Sequence, residues 1–368
     1  MSEYTTELRQ LVESVVPEYD STATHDQARE VWAQLCELGL PRIGTPEARG
    51  GSGGTLDDLL VVVESLAGRG ADVPVVESSV ADWVISHAQQ LDGSPATLAL
   101  LDGPTGAVKA GPPGAVDEDA DSETLTAELP AVPWARDAAL LVVTGPGRQA
   151  LIVDLRHESV AVRQGENLAG ESRDTVLLHR TPATPVASGP GHAAIRSRLA
   201  LLWSAAVAGA AHGAYRLTKA YVAERRQFGA PLLRIPAVSS GLALMRVQLL
   251  QAEAALAVAR EAVATGTDHA GAHAETDGHP AGRDGTAAAV AMARITTAQV
   301  ATEVARLAHQ LHGAIGVTQE YALHRVTRRL WAWRDAVASE RDWAAELGRR
   351  AAGSGETAVW TQLTATGS

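Results

Sequence analysis

The chain of 368 residues has few of the residues that mark secreted or nucleic-acid-binding proteins. Cys36 is its only cysteine, so no disulfide can form within the chain, and a reducing cytoplasm is its natural location. Lys109 and Lys219 are its only lysines, and the net charge is −12. Because a surface that follows nucleic acid needs clustered Lys and Arg, this balance argues against nucleic acid as the main partner.

Long uncharged apolar runs are also missing. The N-terminus has no basic region followed by an apolar one, so the sequence predicts no signal peptide. The most apolar stretch, residues 199–211, is too short to cross a bilayer, and Arg196, Arg198 and Arg216 flank it closely. We interpret this stretch as a buried helix and expect no membrane segment.

Phenylalanine occurs only once, as Phe228, in the segment Glu-Arg-Arg-Gln-Phe-Gly-Ala-Pro that spans residues 224–231. The planar guanidinium of arginine matches the oxygens of phosphate, and an aromatic ring offers a flat face for stacking. Gly229 and Pro231 favour the end of a helix. Taken alone, this segment fits a nucleotide site and a charged helix end with one anchoring aromatic equally well.

The pattern of apolar residues divides the chain into four regions. Residues 1–95 and 189–353 show helical periodicity, whereas residues 96–188 show short strand-like runs separated by Gly, Pro and Asp. Residues 354–368 are predicted to be a disordered tail. The predicted strands are Thr97–Leu101, Ala138–Thr144, Gln149–Leu155, Val160–Val162 and Thr175–His179, and the predicted C-terminal helices are Ala193–Gln227, Pro236–Ala264, Thr286–His312 and Gln319–Ala352.

Three segments suggest ion or phosphate binding but lack the required pattern. The glycine-rich loop 50–54 has no Gly-Lys-Ser/Thr end and no preceding strand, so it does not resemble a P-loop. The acidic stretch 117–121 has no second carboxylate cluster or histidine near it. His269, His273 and His279 follow no zinc spacing. The sequence therefore predicts no metal site. Thr55, which follows the glycine loop, instead predicts the start of a helix.

Two further segments accompany the Phe228 segment. Residues 310–321 read Gln-Leu-His-Gly-Ala-Ile-Gly-Val-Thr-Gln-Glu-Tyr, and Glu-Leu-Gly-Leu at 37–40 precedes Pro-Glu-Ala-Arg-Gly-Gly-Ser-Gly-Gly at 46–54. In this order the three segments resemble the acyl-CoA dehydrogenase family, which shows E-L-G-L…P-E-x-x-G-G-x-G, R-x-Q-F-G and Q-x-x-G-G-x-G motifs. The resemblance implies a mixed α and β fold with an N-terminal helical domain, a middle antiparallel β domain and a C-terminal four-helix bundle.

The resemblance also implies a cofactor and a reaction. Family members remove the α-proton of an acyl thioester with a carboxylate while a hydride passes to FAD. The motif arginine contacts the FAD pyrophosphate, and the later glutamine and its glycine turn contact the FAD of an adjacent subunit. The positions here that match these cofactor-binding residues are Arg225, Gln227, Phe228, Gln310, His312 and Gly313.

The catalytic base of the family has no clear counterpart. One family location for the glutamate falls on Val337, and the others fall near Leu199 or Ala206, none of which can accept a proton. The nearest carboxylates are Asp335 and Glu340, which are weak candidates for a base and fit surface ion pairs better.

Other departures concern the flavin. Ala314 replaces the second glycine of the later motif, and Pro236 stands where a glutamine is usual. The middle region also lacks the T-E-P-x-x-G-S-D-like and G-x-K-x-x-I-T-N-like loops that hold the flavin ring and the thioester.

These features leave several functions open. The chain fits a subunit of a heterotetrameric acyl-CoA dehydrogenase in which a second, related chain carries the glutamate. It also fits a catalytic homo-oligomer whose base has moved. A flavin-free acyl-binding or scaffold partner and a flavin monooxygenase-like relative are further alternatives on the same fold. We expect an oligomer, a dimer or a tetramer, built through the C-terminal bundle.

Overall fold

The computed structural model describes residues 3–16, 25–101, 124–227, 229–272, 281–355 and 357. Within these residues, helices precede and follow a six-stranded sheet, which confirms the predicted mixed fold. The chain divides into two compact units. The first holds the described residues up to Leu199 except Leu66–Gly70, and the second holds Leu66–Gly70 and those from Ala200 onward. The predicted domain boundaries at 95, 188 and 353 stay predictions.

The N-terminal region contains four α-helices, whose starts follow from local sequence. Thr55 begins the third, since its side-chain Oγ1 accepts from the Asp58 N–H at 3.2 Å while the Asp58 carboxylate accepts from the Thr55 N–H at 2.8 Å. This reciprocal cap confirms the start predicted at Thr55. The helices are α1 (Glu3–Val15), α2 (His25–Glu37), α3 (Leu56–Gly68) and α4 (Val75–Ile85).

The middle sheet packs one face into an apolar core. Buried and more exposed residues alternate through the first half of its longest strand, as expected for a strand with one covered face. The strand order is β1-β3-β4-β6-β2, and β5 also pairs with β6. The strands are β1 (Ala96–Leu100), β2 (Thr124–Pro133), β3 (Leu140–Thr144), β4 (Leu151–Asp154), β5 (Val160–Arg163) and β6 (Arg173–Pro185).

Two features of the sheet differ from the prediction. The strand β2 was not predicted, and it contains Pro130 and Pro133, which are unusual within a strand. It lies at the edge of the sheet, where a proline needs no ladder partner for its missing N–H. In addition, β1 pairs with β3 in parallel, whereas all other pairs in this sheet are antiparallel. The middle region is therefore mostly, not purely, antiparallel.

The C-terminal region is helical. The apolar stretch 199–211 is buried over its whole length, as predicted. The predicted fourth helix, Gln319–Ala352, is wrong in one respect, because residues 334–339 divide it into two. The helices are α5 (His192–Glu224), α6 (Pro236–Ala272), α7 (Ala281–His312), α8 (Leu323–Trp333) and α9 (Glu340–Ser354).

The break between α8 and α9 has identifiable causes. Val337 has a φ of 71°, a left-handed conformation that a helix cannot include. Ser339 then caps α9, with its side chain and that of Asp342 each accepting from the other residue's backbone N–H. No glycine or proline between residues 334 and 339 signals this break in the sequence.

One described helical segment, Pro236–Ala264 of α6, is long and apolar enough to cross a membrane by length and composition alone. Core helices of soluble proteins pass the same test, so it is weak evidence for a membrane span. Only 33% of its most apolar window is buried, which leaves apolar side chains on the surface. Leu244, Val247 and Leu250 are 54%, 48% and 49% exposed, respectively.

Candidate functional site

The structure brings the Phe228 segment and the 310–321 segment together at one end of the second unit. Tyr221, one turn before Arg225 on α5, stacks on the ring of His312 at the end of α7, with centroids 4.5 Å apart and planes 17° apart. Tyr321 packs against both rings, at 5.7 Å from Tyr221 and 5.0 Å from His312. These three rings fix the distance between the two motifs.

His312 supports this arrangement as a neutral, buried ring. Its Nδ1 lies 2.8 Å from the carbonyl oxygen of Ala308, and because a carbonyl only accepts, Nδ1 carries the proton. Burial lowers the pKa of His312, which favours the neutral form. The ring therefore contributes packing between the tyrosines rather than positive charge, while its role as an FAD contact stays a prediction.

The chain after α5 forms a tight turn that displays polar side chains. Strands β7 (Arg226–Gln227) and β8 (Ala230–Pro231) pair, and Gly229 between them has a φ of 78°. Arg225 and Gln227 are exposed, and neither side chain bonds to any described residue. A free guanidinium and a free amide are donors that suit an anionic pyrophosphate, so this segment fits the predicted cofactor. Phe228 lies outside the described residues.

Unlike the side chain of Arg225, that of Arg226 makes one weak contact within the described residues. Its Nη2 lies 3.4 Å from the carbonyl oxygen of Gly229 within the same turn. This contact agrees with the variable position that Arg226 takes in the motif, and it makes Arg226 a natural control for Arg225.

The 310–321 segment also offers a hydrogen-bond donor and open space for a ligand. The Oε1 atom of Gln310 accepts from Arg306 at 3.0 Å, which leaves the amide NH₂ group of Gln310 to donate. Gly313 is exposed with a φ of 64°, and no described atom lies within 4 Å of the position that a Cβ would take. Ala314 is exposed as well, so its methyl group does not close this space. A ligand can therefore approach the backbone at Gly313.

The position where the resemblance places the base holds a side chain that cannot act as one. Val337 lies in the break between α8 and α9 and cannot accept a proton. The two candidate carboxylates nearby already have partners. Asp335 accepts from Arg334 Nε at 3.0 Å, and Glu340 accepts from Gln299 Nε2 at 2.8 Å. These contacts favour structural roles for Asp335 and Glu340, and their assignment as a base stays a prediction.

Sequence reasoning missed the residue that holds this break in place. Arg294 of α7 is fully buried, and its Nη2 donates to the carbonyl oxygens of Trp333, Arg334 and Ala336 at 2.8–3.0 Å. Burial lowers its pKa to about 10, so it remains charged at neutral pH. It lies in an alanine-rich helix, and no local motif in the sequence indicates this role.

The glycine loop of the first unit is a folded structural element rather than a phosphate cradle. The N–H groups of residues 50–53 donate to carbonyls of residues 42–47, including Gly51 to Pro46 at 3.1 Å and Gly53 to Thr45 at 2.9 Å. A Cβ on Gly51 would lie 2.1 Å from the carbonyl oxygen of Thr45, so the loop closes only with glycine there. These four amides are therefore not left to bind a phosphate.

The segments considered for metal binding give no support to a metal site. Among the described residues, no three His, Cys, Asp or Glu side chains could hold an ion together. The acidic stretch 117–121, His273 and His279 lie outside the described residues, and so does the side chain of His269.

Known proteins with similar sequences are acyl-CoA dehydrogenases. Acyl-CoA dehydrogenase IpdE2 of Mycobacterium tuberculosis is 25% identical over 345 residues, covering 91% of this chain and 93% of that protein. Acyl-CoA dehydrogenase FadE34 of the same organism is 28% identical over 306 residues, which cover 83% of this chain but only 39% of that protein.

Solved structures share the fold over nearly the whole chain. The ChsE4-ChsE5 complex from Mycobacterium tuberculosis gives a TM-score of 0.77 at 21% identity, covering 96% of this chain and 98% of the matched chain. A variant of the Tcur3481-Tcur3483 steroid ACAD gives 0.76 at 25% identity with the same coverages. PigA with FAD and proline gives 0.74 at 15% identity, covering 96% and 99%.

Family models match both helical regions. The N-terminal domain of acyl-CoA dehydrogenase matches residues 2–96, and the C-terminal domain matches residues 196–334. Together they cover more than half of the chain and include all three motifs. The chain belongs to the acyl-CoA dehydrogenase family.

Proposed function

We propose that this chain is a subunit of a heteromeric, FAD-dependent acyl-CoA dehydrogenase that helps to bind the flavin and leaves removal of the α-proton to a partner chain. The observation that carries this proposal is Val337. It occupies the break between α8 and α9, where the family places a base, and the nearest carboxylates, Asp335 and Glu340, are engaged by Arg334 and Gln299.

Binding of FAD is supported by the residues that the two motifs leave free. Arg225 and Gln227 would hold the pyrophosphate, since a guanidinium and an amide donate to phosphate oxygens. The NH₂ group of Gln310 and the open backbone at Gly313 would contact the FAD of an adjacent subunit. When bound, FAD supplies the hydride acceptor for α,β-dehydrogenation of an acyl thioester.

The second unit also presents a surface for a partner. Leu244, Val247 and Leu250 are spaced along α6 and are about half exposed, and Ala254 and Ala257 continue the exposed side of the helix. Contiguous exposed apolar residues mark interaction sites. The ChsE4-ChsE5 and Tcur3481-Tcur3483 structures are each named for two proteins, which supports a complex with a second acyl-CoA dehydrogenase-like chain over a homo-oligomer.

A charged side chain introduced on this apolar surface of α6 tests whether the surface forms the interface with the partner. Val247→Asp should weaken assembly with the partner, measured by light scattering of the purified complex, because association would bury an unpaired carboxylate. Ala344→Asp, at an exposed position on α9, is the matched control and should leave assembly unchanged. Equal assembly of the two variants would remove α6 from the interface.

The flavin proposal is tested by the protein's absorbance. We expect the cytoplasmic complex of this chain with a glutamate-bearing partner to show a visible flavin band that acyl-CoA bleaches. A complex that assembles without flavin would instead support the scaffold alternative. A flavin that only an external reductase reduces would support the monooxygenase alternative.

A further inference from the structure

Arg198 lies near the start of α5 in an unusual setting within the first unit. Its guanidinium lies over the ring of Trp83 on α4, with Cζ 4.5 Å from the ring centroid. On another side, its Nη2 lies 3.1 Å from the position that a Cβ on Gly44 would take. Gly44 has a φ of 80°, so both its backbone conformation and the nearby guanidinium favour glycine.

One edge of this guanidinium has no hydrogen-bond partner among the described residues. Its Nε and Nη2 atoms are shielded from solvent and have no hydrogen-bond partner among the described residues. These two nitrogens lie on the same edge of the guanidinium plane, so their N–H groups point in parallel. Two parallel N–H donors match the two oxygens of a carboxylate.

Apart from the ring of Trp83, no described group compensates the charge of Arg198. Burial lowers its pKa to about 10, and no acidic side chain of the described residues offsets this effect. Arg198 therefore stays protonated at neutral pH. Because a buried charge without a partner is costly, a site of this kind is stabilised when an anion binds.

Two other arginines allow a comparison. In Arg136 a carboxylate binds the Nε and Nη2 edge, whereas in Arg294 this edge is not available for a carboxylate. Arg136 uses the same edge on Asp174, with Nε 3.0 Å and Nη2 2.5 Å from Oδ1. Arg294 also has two free nitrogens, but they are Nε and Nη1, which do not share a donating edge, and its Nη2 binds three carbonyls. Arg198 thus has the carboxylate-binding edge of Arg136 without the aspartate.

We propose that the Nε and Nη2 edge of Arg198 binds the carboxylate of a small ligand above the ring of Trp83. The carboxylate could belong to a free organic acid or to the far end of the acyl group of a thioester. The second source rests on the proposed function, whereas the first does not.

Binding to the full-length chain by calorimetry tests the site, with glutarate as the probe and glutaramide and inorganic phosphate as comparisons. Glutarate should bind the native chain, and Arg198→Met and Arg198→Lys should each weaken it by about tenfold or more, since lysine keeps the charge but loses the paired donors. Arg196→Gln, two residues earlier, should bind glutarate normally. Equal affinity in all variants, or equal binding of phosphate or glutaramide, would overturn the proposal.

Thermal unfolding without ligand separates binding from a structural role. Replacing an uncompensated buried charge by an apolar side chain of similar length should leave the Tm of Arg198→Met unchanged or raise it. A clearly lower Tm would mean that Arg198 supports the fold and would count against a ligand site.

Thioester probes then identify the source of the carboxylate. Tighter binding of glutaryl-CoA than of butyryl-CoA, lost in Arg198→Met, would assign the site to the substrate. Arg198-dependent binding of glutarate without this preference would assign it to a free acid. Because binding is measured without turnover, either result stands even if the chain has no dehydrogenase activity.

Discussion

The two regions of the second unit that the family uses for chemistry have diverged in different ways. At the end of α5 and the turn after α7, exposed donors have no partner among the described residues, and three mutually packed rings hold the motifs together. At the break between α8 and α9, the backbone is held by Arg294 and a capping box, but Val337 cannot accept a proton. The first region thus keeps donors that fit the proposed flavin site, whereas the second has a valine where the resemblance places the base. This difference is what we expect of a subunit that shares a site with a partner.

The largest expected effect concerns turnover. The isolated chain should dehydrogenate acyl-CoA about 10²–10⁴-fold more slowly than its complex with a glutamate-bearing partner, since this is the typical contribution of a general base. Flavin reduction in single-turnover experiments measures the difference.

Substitution of the nearby carboxylates is the control for this comparison. Asp335→Asn and Glu340→Gln should have little effect on the complex, because both side chains serve neighbouring residues. Should the isolated chain reduce its flavin with acyl-CoA, and should one of these changes abolish that reaction, the base would lie at that residue.

The next effect concerns the architecture of the break. Arg294→Met should lower the free energy of unfolding by about 3 kcal/mol, because three backbone carbonyls lose a charged donor in a buried site. Urea unfolding measures it. Arg341→Met, exposed in the first turn of α9, should cost less than about 0.5 kcal/mol. Similar losses in the two variants would show that Arg294 does not hold the break.

A smaller effect is expected at the flavin motif. Arg225→Ala should weaken FAD binding by about 1.5–3 kcal/mol, the usual value of a hydrogen bond to a charged group. The flavin-to-protein absorbance ratio after dilution reports it. Arg226→Ala should change the ratio less, since Arg226 holds the variable motif position and contacts Gly229. Full flavin retention in Arg225→Ala would remove the assignment of Arg225 to the cofactor.

The sequence predicted those parts of the molecule that local signals determine. The start of α3 followed from Thr55 and its acidic neighbours, and the burial of residues 199–211 followed from their apolar character. The stacking of Tyr221 on His312 was missed, although Tyr221 lies one helical turn before Arg225 and so shares its side of α5. That signal places Tyr221 near the motif but does not reveal its partner.

The missed elements depend on residues distant in sequence. The prolines of β2 are tolerated only because β6 places this strand at the sheet edge, a fact of pairing rather than composition. The break after α8 is stabilised by Arg294, 40 residues before Arg334, whose carbonyl it binds. In the sequence, Arg198 is only a charged residue beside an apolar stretch. Its position over the ring of Trp83 is visible only in the structure.

The smallest expected effect concerns Val337 itself. A β-branched residue at a φ of 71° is strained, and glycine would relieve that strain at the cost of greater freedom in the unfolded chain. We expect Val337→Gly to raise the free energy of unfolding by about 1 kcal/mol. Val337→Ala, which keeps a Cβ at the same φ, should not raise it. In the complex, Val337→Gly should leave turnover unchanged, because we propose that the base lies on the partner. If a stably folded Val337→Gly complex lost turnover, the Val337 side chain would position the substrate although it cannot take a proton. The position where the family places its base would then still contribute to the reaction.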